Sequence, residues 1–135
     1  MKATNIKQSK KLAEILPIKT ADMIYIMYCN GEKPQNGDAN LSTVYESNDH
    51  KWYWIDIIDE SWDMRIGEDI PCWSLGALLE VLPMPTLIQD KAEDELFWQC
   101  SVYNEEGEKL CETYASDKVD ACYEMVVKLN ELNLL

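Results

Sequence analysis

The sequence predicts an α+β domain in which an antiparallel sheet of about four or five strands is covered on one face by helices. Three segments place apolar residues at the spacing of an amphipathic helix, and segments between them alternate with the two-residue period of strands. A hairpin signal near the end of the sequence indicates antiparallel neighbours. The predicted order of elements is therefore helix, strands, helix, hairpin, helix.

Capping residues and apolar periods define the three predicted helices. The first starts at Ser9 and the second at Ser74, because a serine side chain caps the first turn, and a proline follows each apolar run. In the second helix leucines recur at i, i+3, i+4 and i+7. The third begins at Ser116 or Asp117 and runs to the end of the sequence with an apolar stripe wide enough to cover a sheet.

Strands are predicted where apolar residues alternate or cluster between turn signals. Met23 to Cys29 precedes an Asn-Gly turn, and residues 30–40 are rich in Gly, Pro, Asn and Asp, as is typical of a loop. Leu41 to Glu46 and His50 to Ile58 are the next two predicted strands. The latter places Tyr53, Ile55 and Ile57 on one face, which is expected to face the core.

The hairpin consists of Leu96 to Tyr103 and Glu108 to Ala115. Its connection fits a type I turn closed by a glycine bulge, which pairs Asn104 with Glu108 and puts Cys100 and Cys111 on opposite faces. This register is preferred because it gathers apolar residues on one face: Trp98, Cys100, Val102, Leu110 and Tyr114. A four-residue loop is the alternative, and it would set the two cysteines directly across from each other.

An internal similarity raises the question of duplication. Residues 12–20 and 78–86 share five of nine positions, and each segment is followed by strand material. A duplicated helix-strand-strand unit would explain the likeness. Two proline-stopped amphipathic helices would also look alike by chance, so both explanations stay open.

The chain is strongly acidic. Its 135 residues fit a single domain, with residues 1–8 as a flexible basic leader. Asp and Glu number 25 and Lys and Arg number 12, which gives a net charge of −13. Residues 1–19 contain five lysines and one glutamate, so the remainder carries −17. Such a body repels phosphate backbones, and direct nucleic-acid binding is not expected.

The sequence predicts a cytoplasmic protein without a membrane contact. Its first eleven residues contain no apolar run of a secretory signal. The longest apolar stretch, residues 70–84, is interrupted by Glu80 and Pro83 and is shorter than the roughly 20 residues of a membrane span. In the cytoplasm the five cysteines are expected to be reduced and to act as small buried side chains.

No catalytic, metal-binding or cofactor-binding motif is recognisable. His50 is the only histidine, no nucleophile turn accompanies it, and the cysteine spacings do not match a zinc site. The sequence therefore predicts no catalytic residue, cofactor or metal, and it favours a protein that is not an enzyme. The carboxylates between residues 56 and 69 leave one alternative, a small-ligand site or an enzyme built on that segment.

Tryptophan is the most over-represented residue type. Trp73 and Trp98 are predicted packing anchors. Trp52 and Trp54 share a strand face with Asp56, opposite the expected core face. These three residues are either covered by another element or form an interaction face for a protein, a sugar or a cationic ligand. A homodimer joined at this face is a further alternative.

Three regions of the chain support a family resemblance. They are residues 20–23 (TADM), 71–83 (PCWSLGALLEVLP) and 120–135, which contain DACYEM and KLNELNLL. In these regions the chain resembles a family of small uncharacterised proteins from gut Bacteroides-type bacteria and their phages or mobile elements. The shared segments are helix caps and helix faces, so the resemblance implies origin and fold but no site residues. The loop at 30–40 and the acidic segment lie outside it.

Together these features predict a cytoplasmic accessory protein, associated with a mobile element, that binds another protein and does not catalyse a reaction. The alternative is an acidic mimic of nucleic acid that occupies the basic cleft of a DNA- or RNA-binding host protein. The two hypotheses differ in salt dependence, because binding by mimicry is lost at high salt. The identity of the partner and the oligomeric state stay open.

Overall fold

The chain is an α+β protein. The computed structural model describes residues 3–26, 40–43 and 70–135. The chain divides into two compact units, Asn5–Trp73 and Met1–Thr4 with Ser74–Leu135, and the described residues of each contain an antiparallel three-stranded sheet. The predicted α+β class is confirmed, whereas a single sheet of about four or five strands is not, because the described strands form two sheets. The prediction of a single domain stays a prediction.

The unit Asn5–Trp73, called unit A here, contains a helix and three short strands. Its described elements are helix α1 (Ile6–Ile15), a 3-10 turn (Ile18–Thr20), β1 (Met23–Ile26), β2 (Asn40–Thr43) and β3 (Ile70–Cys72). The strand order is β2-β1-β3, so Met23 pairs with both Thr43 and Cys72. Helix α1 packs against β3. The centre of this unit is therefore built from segments far apart in sequence.

Helix α1 starts earlier than the sequence predicts. Asn5 is its N-cap: the Oδ1 atom accepts from the backbone N–H of Gln8 at 2.7 Å, and the Gln8 Oε1 accepts from the Asn5 N–H at 3.0 Å. This reciprocal capping box satisfies two backbone donors, whereas the expected cap, Ser9, is buried within the helix. Residues 6–8 of the predicted leader belong to this helix.

Among the residues that the structure describes, Trp73 is the largest fully buried side chain, as the prediction of a packing anchor implies. Its Nε1–H donates to the Oγ1 of Thr20 at 2.9 Å, and that hydroxyl donates to the carbonyl of Pro17 at 2.6 Å. The indole N–H therefore has a partner in the 3-10 turn, which removes the main cost of burying a tryptophan.

The unit of Met1–Thr4 and Ser74–Leu135, called unit B here, contains a meander of three strands and two helices. Its elements are α2 (Leu75–Val81), β4 (Thr86–Ala92), β5 (Glu95–Tyr103), β6 (Lys109–Ala115) and α3 (Lys118–Glu131), with strand order β4-β5-β6. Helix α3 packs against β5 and β6, and α2 packs against α3. The sequence did not predict β4, which is mostly exposed and lacks a clean apolar alternation.

The predicted caps of both helices in unit B are confirmed. Ser74 caps α2, and its Oγ accepts from the backbone N–H of Ala77 at 3.2 Å. Asp117, one of the two predicted starts, caps α3 and accepts from the N–H groups of Val119 and Asp120. Each cap satisfies donors that the first helical turn leaves without an intrahelical partner.

The turn of the predicted hairpin is also confirmed. The Asn104 N–H donates to the carbonyl of Glu108 at 2.9 Å, and Gly107 has a φ of 84°. The Asn104 side chain accepts from the Glu108 N–H at 2.8 Å, which fixes the turn further. Gly107 lies where a left-handed conformation is required, so a glycine is needed here.

The predicted register holds only next to the turn. Tyr103 pairs with Lys109, as expected, but Val102 pairs with Cys111, which leaves Leu110 as an extra residue in a bulge. From there on, β6 is shifted by one position, so Cys111 shares the face of Cys100 and Tyr114 lies on the opposite face. The prediction that separated the two cysteines was therefore wrong.

The corrected register places small side chains beneath α3. On β6 these are Cys111, Thr113 and Ala115. The Thr113 Oγ1 donates to the carbonyl of Ala121 at 2.7 Å, and the Cys122 Sγ lies 3.9 Å from the Cys100 Sγ. Small side chains allow the helix to lie close to the sheet. Because of the bulge at Leu110, Tyr114 lies on the opposite face of the sheet, and α3 packs closely on the small side chains that remain.

The topology of the described strands gives no support to a duplication. In unit A the central strand is the first one after the helix, whereas in unit B it is the second. Two copies of one helix-strand-strand unit would be expected to share their strand order. The similarity of residues 12–20 and 78–86 therefore has no counterpart in the described strand order.

The turn between β4 and β5 contains a residue whose replacement by glycine should increase stability. Glu93 has a φ of 57°, a left-handed conformation that costs an L side chain about 1 kcal/mol relative to glycine. Glu93→Gly is therefore expected to raise the free energy of unfolding by about 1 kcal/mol in urea denaturation. Asp94→Gly is the matched control. The φ of Asp94 is not positive, so glycine there relieves no strain in the folded state and only increases the conformational entropy of the unfolded chain. Equal effects of the two substitutions would contradict this account.

Candidate interaction surface

The interaction face predicted from the sequence lies outside the described residues. This applies to Trp52, Trp54 and Asp56, to His50, and to the acidic segment 56–69, all of which fall between residues 43 and 70. Trp52, Trp54 and Asp56 therefore stay a prediction. A different surface is visible in unit B, where the sheet of β4, β5 and β6 has one face that points away from α3.

We call this side of the sheet the distal face. Side chains on the other side contact α3, as Cys100 and Thr113 do, so the alternate positions of each strand face away from it. By register, the distal face includes Thr86, Ile88, Asp90, Ala92, Glu95, Phe97, Gln99, Ser101, Tyr103, Lys109, Glu112 and Tyr114. Ser101 is buried, so the exposed part of the face lies away from it. Ile88 is 54% exposed and Tyr114 is 53% exposed. The distal face thus presents large apolar side chains to solvent.

An aromatic pair forms the centre of the distal face. The rings of Phe97 and Tyr114 meet edge to face, with centroids 5.8 Å apart and an interplanar angle of 62°. Tyr114 pairs with Gln99 on the central strand, and Gln99 pairs with Ile88 on the other side. The two rings therefore belong to adjacent strands and are held by the sheet, with the arrangement that aromatic quadrupoles favour.

A polar network adjoins the aromatic pair on the side of β6. The Nε2 of Gln99 donates to the Oε2 of Glu112 at 2.7 Å and lies 3.2 Å from the Oγ of Ser101. Lys109 Nζ donates to the same Glu112 oxygen at 2.9 Å. This hydrogen bond lowers the pKa of Glu112 and raises the pKa of Lys109. Glu112 is therefore an ionised carboxylate whose orientation is fixed.

Tyr114 lies beside this network and belongs to the aromatic pair. The Glu112 carboxylate raises the pKa of Tyr114, as do partial desolvation and the negative charge of Asp90. The phenol therefore stays protonated over the physiological range. Tyr114 is 53% exposed, so its ring and protonated hydroxyl are both accessible to a partner.

Asp90 lies on the other side of the aromatic pair. It is exposed, pairs directly across from Phe97, and accepts a hydrogen bond from the neighbouring Lys91 N–H at 2.7 Å. Carboxylates therefore flank the two rings, Asp90 on β4 and Glu112 on β6. Negative charge beside the faces of aromatic rings attracts cations.

The opposite side of the same sheet contains such a contact within the chain. The Nζ of Lys118, at the start of α3, lies 4.8 Å from the centroid of the Trp98 ring. Trp98, the second predicted anchor, is half-buried and contributes this ring to the α3 side. A lysine and an aromatic ring at this distance attract each other through the ring quadrupole.

The cysteines of unit B are internal. Cys100 and Cys122 are fully buried, and Cys111 is 8% exposed. The hydrogen bond to Cys100, together with burial, raises the pKa of the Cys122 thiol, so this thiol stays protonated. Within residues 3–26, 40–43 and 70–135, no group of three or more His, Cys, Asp or Glu side chains is arranged to hold a metal ion. Cys100 and Cys122 pack between β5 and α3, and Cys111 lies on β6 on the same side of the sheet.

Two further findings concern the nature of the chain. In the part of the chain that the structure describes, no helix has the length and apolar character required to cross a membrane. Comparison of the chain with known protein families, curated proteins and solved structures gives no match.

Proposed function

We propose that this chain is a cytoplasmic accessory protein, associated with a mobile element, that acts as a non-catalytic protein-protein interaction domain. The observation that carries the proposal is the distal face, where the exposed side chains of Ile88 and Tyr114 lie with Phe97 beside a hydrogen-bonded polar network. Tyrosine supplies a large contact area with few rotamers to immobilise, and it is enriched at the centres of protein interfaces.

The arrangement of the distal face supports the same proposal. Its side chains lie on three paired strands. Hydrogen bonds from Gln99 and Lys109 hold the Glu112 carboxylate. A partner that docks on this face therefore meets groups whose conformations are already restricted. Such preorganisation reduces the entropy lost on binding.

A pull-down with a surface variant tests this function. The tagged chain and an Ile88→Ala, Tyr114→Ala double variant are incubated with nuclease-treated host lysate at low and high salt, and retained proteins are identified by mass spectrometry. We expect a partner retained at high salt by the parent chain and reduced about tenfold with the double variant, because central aromatic residues dominate interface energies.

The control removes an exposed apolar group from the other side of the sheet. Leu96 is 58% exposed and lies on β5 with the orientation of Trp98, so Leu96→Ala tests apolar loss without touching the distal face. This variant should retain the partner. Equal loss in both variants, or no loss in the double variant, would count against the distal face as the binding surface. Circular dichroism confirms that the variants are folded.

A second candidate function follows from the acidity. Residues 74–135 contain thirteen acidic and four basic side chains, a formal charge of −9. A body of this charge suits a mimic of nucleic acid that fills the basic cleft of a DNA- or RNA-binding protein. In the same pull-down, mimicry predicts a nucleic-acid-binding protein that is retained at low salt and lost at high salt, regardless of the Ile88 and Tyr114 substitutions.

The predicted face of Trp52, Trp54 and Asp56 is a second proposed binding surface. Trp52→Ala and Trp54→Ala are expected to weaken the complex and leave the fold intact if these side chains contact the partner. Unfolding of the variants would instead indicate a packing role.

A further inference from the structure

We propose, resting on the proposed function, that the distal face binds an extended basic segment of a partner protein, with an arginine or lysine side chain placed over Phe97 and Tyr114 beside Asp90. Two aromatic rings on the adjacent strands β5 and β6 lie between a carboxylate on β4 and a carboxylate on β6, and this arrangement carries the proposal.

The two carboxylates beside the aromatic pair differ in whether a cation compensates their charge. Glu112 is already paired with Lys109 at 2.9 Å. Asp90 forms no ion pair within the described part of the chain, where its hydrogen bond comes from a backbone N–H. Asp90 therefore keeps an uncompensated charge directly across from Phe97, and a cation of the partner would compensate it.

The aromatic pair is partly open to solvent. Phe97 is half-buried, and Tyr114 exposes about half of its surface next to it. A guanidinium or ammonium group above these rings gains a cation-π attraction and keeps a carboxylate within reach. Lys118 and Trp98 show at 4.8 Å that this sheet already accommodates such a pair on its α3 side.

The spacing of side chains on β4 favours an extended partner segment. Ile88 and Asp90 are two positions apart on β4, and both point to the distal face. A partner chain in the extended conformation presents its side chains with the same two-residue period. A segment with a basic residue two positions from an apolar residue therefore matches Asp90 and Ile88 at once. The charge of −9 on residues 74–135 also favours a basic partner over an acidic one.

The experiment uses the full chain and a fluorescein-labelled peptide of sequence Arg-Thr-Val-Thr-Arg-Thr-Val-Thr-Arg as probe. Fluorescence anisotropy measures its affinity, and a second peptide carries citrulline in place of each arginine, which removes the charge at nearly constant shape. We expect the citrulline peptide to bind about tenfold more weakly. Asp90→Asn is expected to weaken binding of the arginine peptide about fivefold.

The matched control is Glu124→Gln, which removes one negative charge from an exposed position on α3. It should change the affinity less than about 1.5-fold, because a distant surface charge is screened by salt. Nuclear magnetic resonance should place the peptide-induced shifts at Phe97, Tyr114 and Ile88. Equal effects of Asp90→Asn and Glu124→Gln, or shifts centred on α3, would overturn the proposal in favour of general electrostatic attraction.

Two further outcomes separate this inference from the proposed function. If the pull-down retains a partner through Ile88 and Tyr114 but neither peptide binds, the interaction function stands and the basic-segment inference fails. Equal binding of the arginine and citrulline peptides also overturns the inference, because it shows that charge does not contribute. If the pull-down retains nothing through this face while the arginine peptide binds as expected, the inference stands for the surface and the proposed function fails.

Discussion

Trp73→Ala is expected to lower the free energy of unfolding of unit A by about 4 kcal/mol. The Trp73 side chain is fully buried, so its removal leaves a large cavity and exposes the Thr20 hydroxyl that its N–H contacts at 2.9 Å. Urea denaturation followed by far-ultraviolet circular dichroism measures the change. Loss of the whole transition at ambient temperature would be the extreme form of the same result.

Two milder substitutions separate packing from hydrogen bonding. Trp73→Phe keeps part of the buried volume, and Thr20→Val removes the hydroxyl that accepts from the indole and donates to Pro17. We expect Thr20→Val to cost about 1 kcal/mol, well below the alanine substitution. A cost of Trp73→Ala no larger than that of Thr20→Val would show that Trp73 does not anchor the unit.

The second large effect is a loss of stability in alkaline solution. Burial, with the nearby charge of Asp22, raises the pKa of Cys72 from 9.0 to about 12. The contribution of the protonated Cys72 thiol to stability is fully present below the pKa of about 9 that it has in the unfolded chain. Below that pH the thiol is protonated in both the folded and the unfolded state. Above that pH only the unfolded chain ionises, so the free energy of unfolding falls by about 1.4 kcal/mol per pH unit until the folded pKa is reached.

Denaturation at about pH 8 and about pH 10, with Cys72→Ala compared with the parent chain, measures this effect. The variant is less stable at the lower pH because it loses buried volume, but its stability should fall less steeply between the two values. Cys122, whose pKa is also raised, adds to the slope of both proteins equally. Identical slopes in the parent and the variant would show that Cys72 ionises equally in both states.

The features that the sequence predicted correctly are determined by neighbouring residues. The Ser74 cap depends on an N–H three positions away, and the Asn104–Gly107 turn depends on a glycine that tolerates a φ of 84°. Such signals are complete within a few residues. The class of fold also follows from local periods, and the α+β class was confirmed for this reason.

The features that could not be predicted from the sequence depend on how one strand pairs with another. The bulge at Leu110 moves Cys111 beneath α3 and Tyr114 to the distal face, and an argument that collects apolar residues on one side favours the opposite outcome. Strand β4 is defined by its pairing with β5, because its own residues are mostly exposed.

The cluster on the distal face could not be predicted from the sequence either. Phe97, Glu112 and Tyr114 form one cluster only in the register that includes the bulge, so they have no local signature. The tryptophan face at residues 52 and 54 has the clearer sequence signal, and it lies outside the described residues. The high tryptophan content pointed to that strand. The exposed apolar side chains of the sheet in unit B lie in segments without such a signal.

The order of the strands has a consequence for the kinetics of folding. In unit B each strand pairs with the next along the chain, through a two-residue turn at 93–94 and a five-residue turn at 104–108. In unit A, β1 must pair with β3, and Met23 meets Cys72 across 49 positions. Closing that long loop costs entropy before any contact compensates for it. We therefore expect residues 86–131 to acquire hydrogen-exchange protection first during refolding, with the β1–β3 pairing as the slower step.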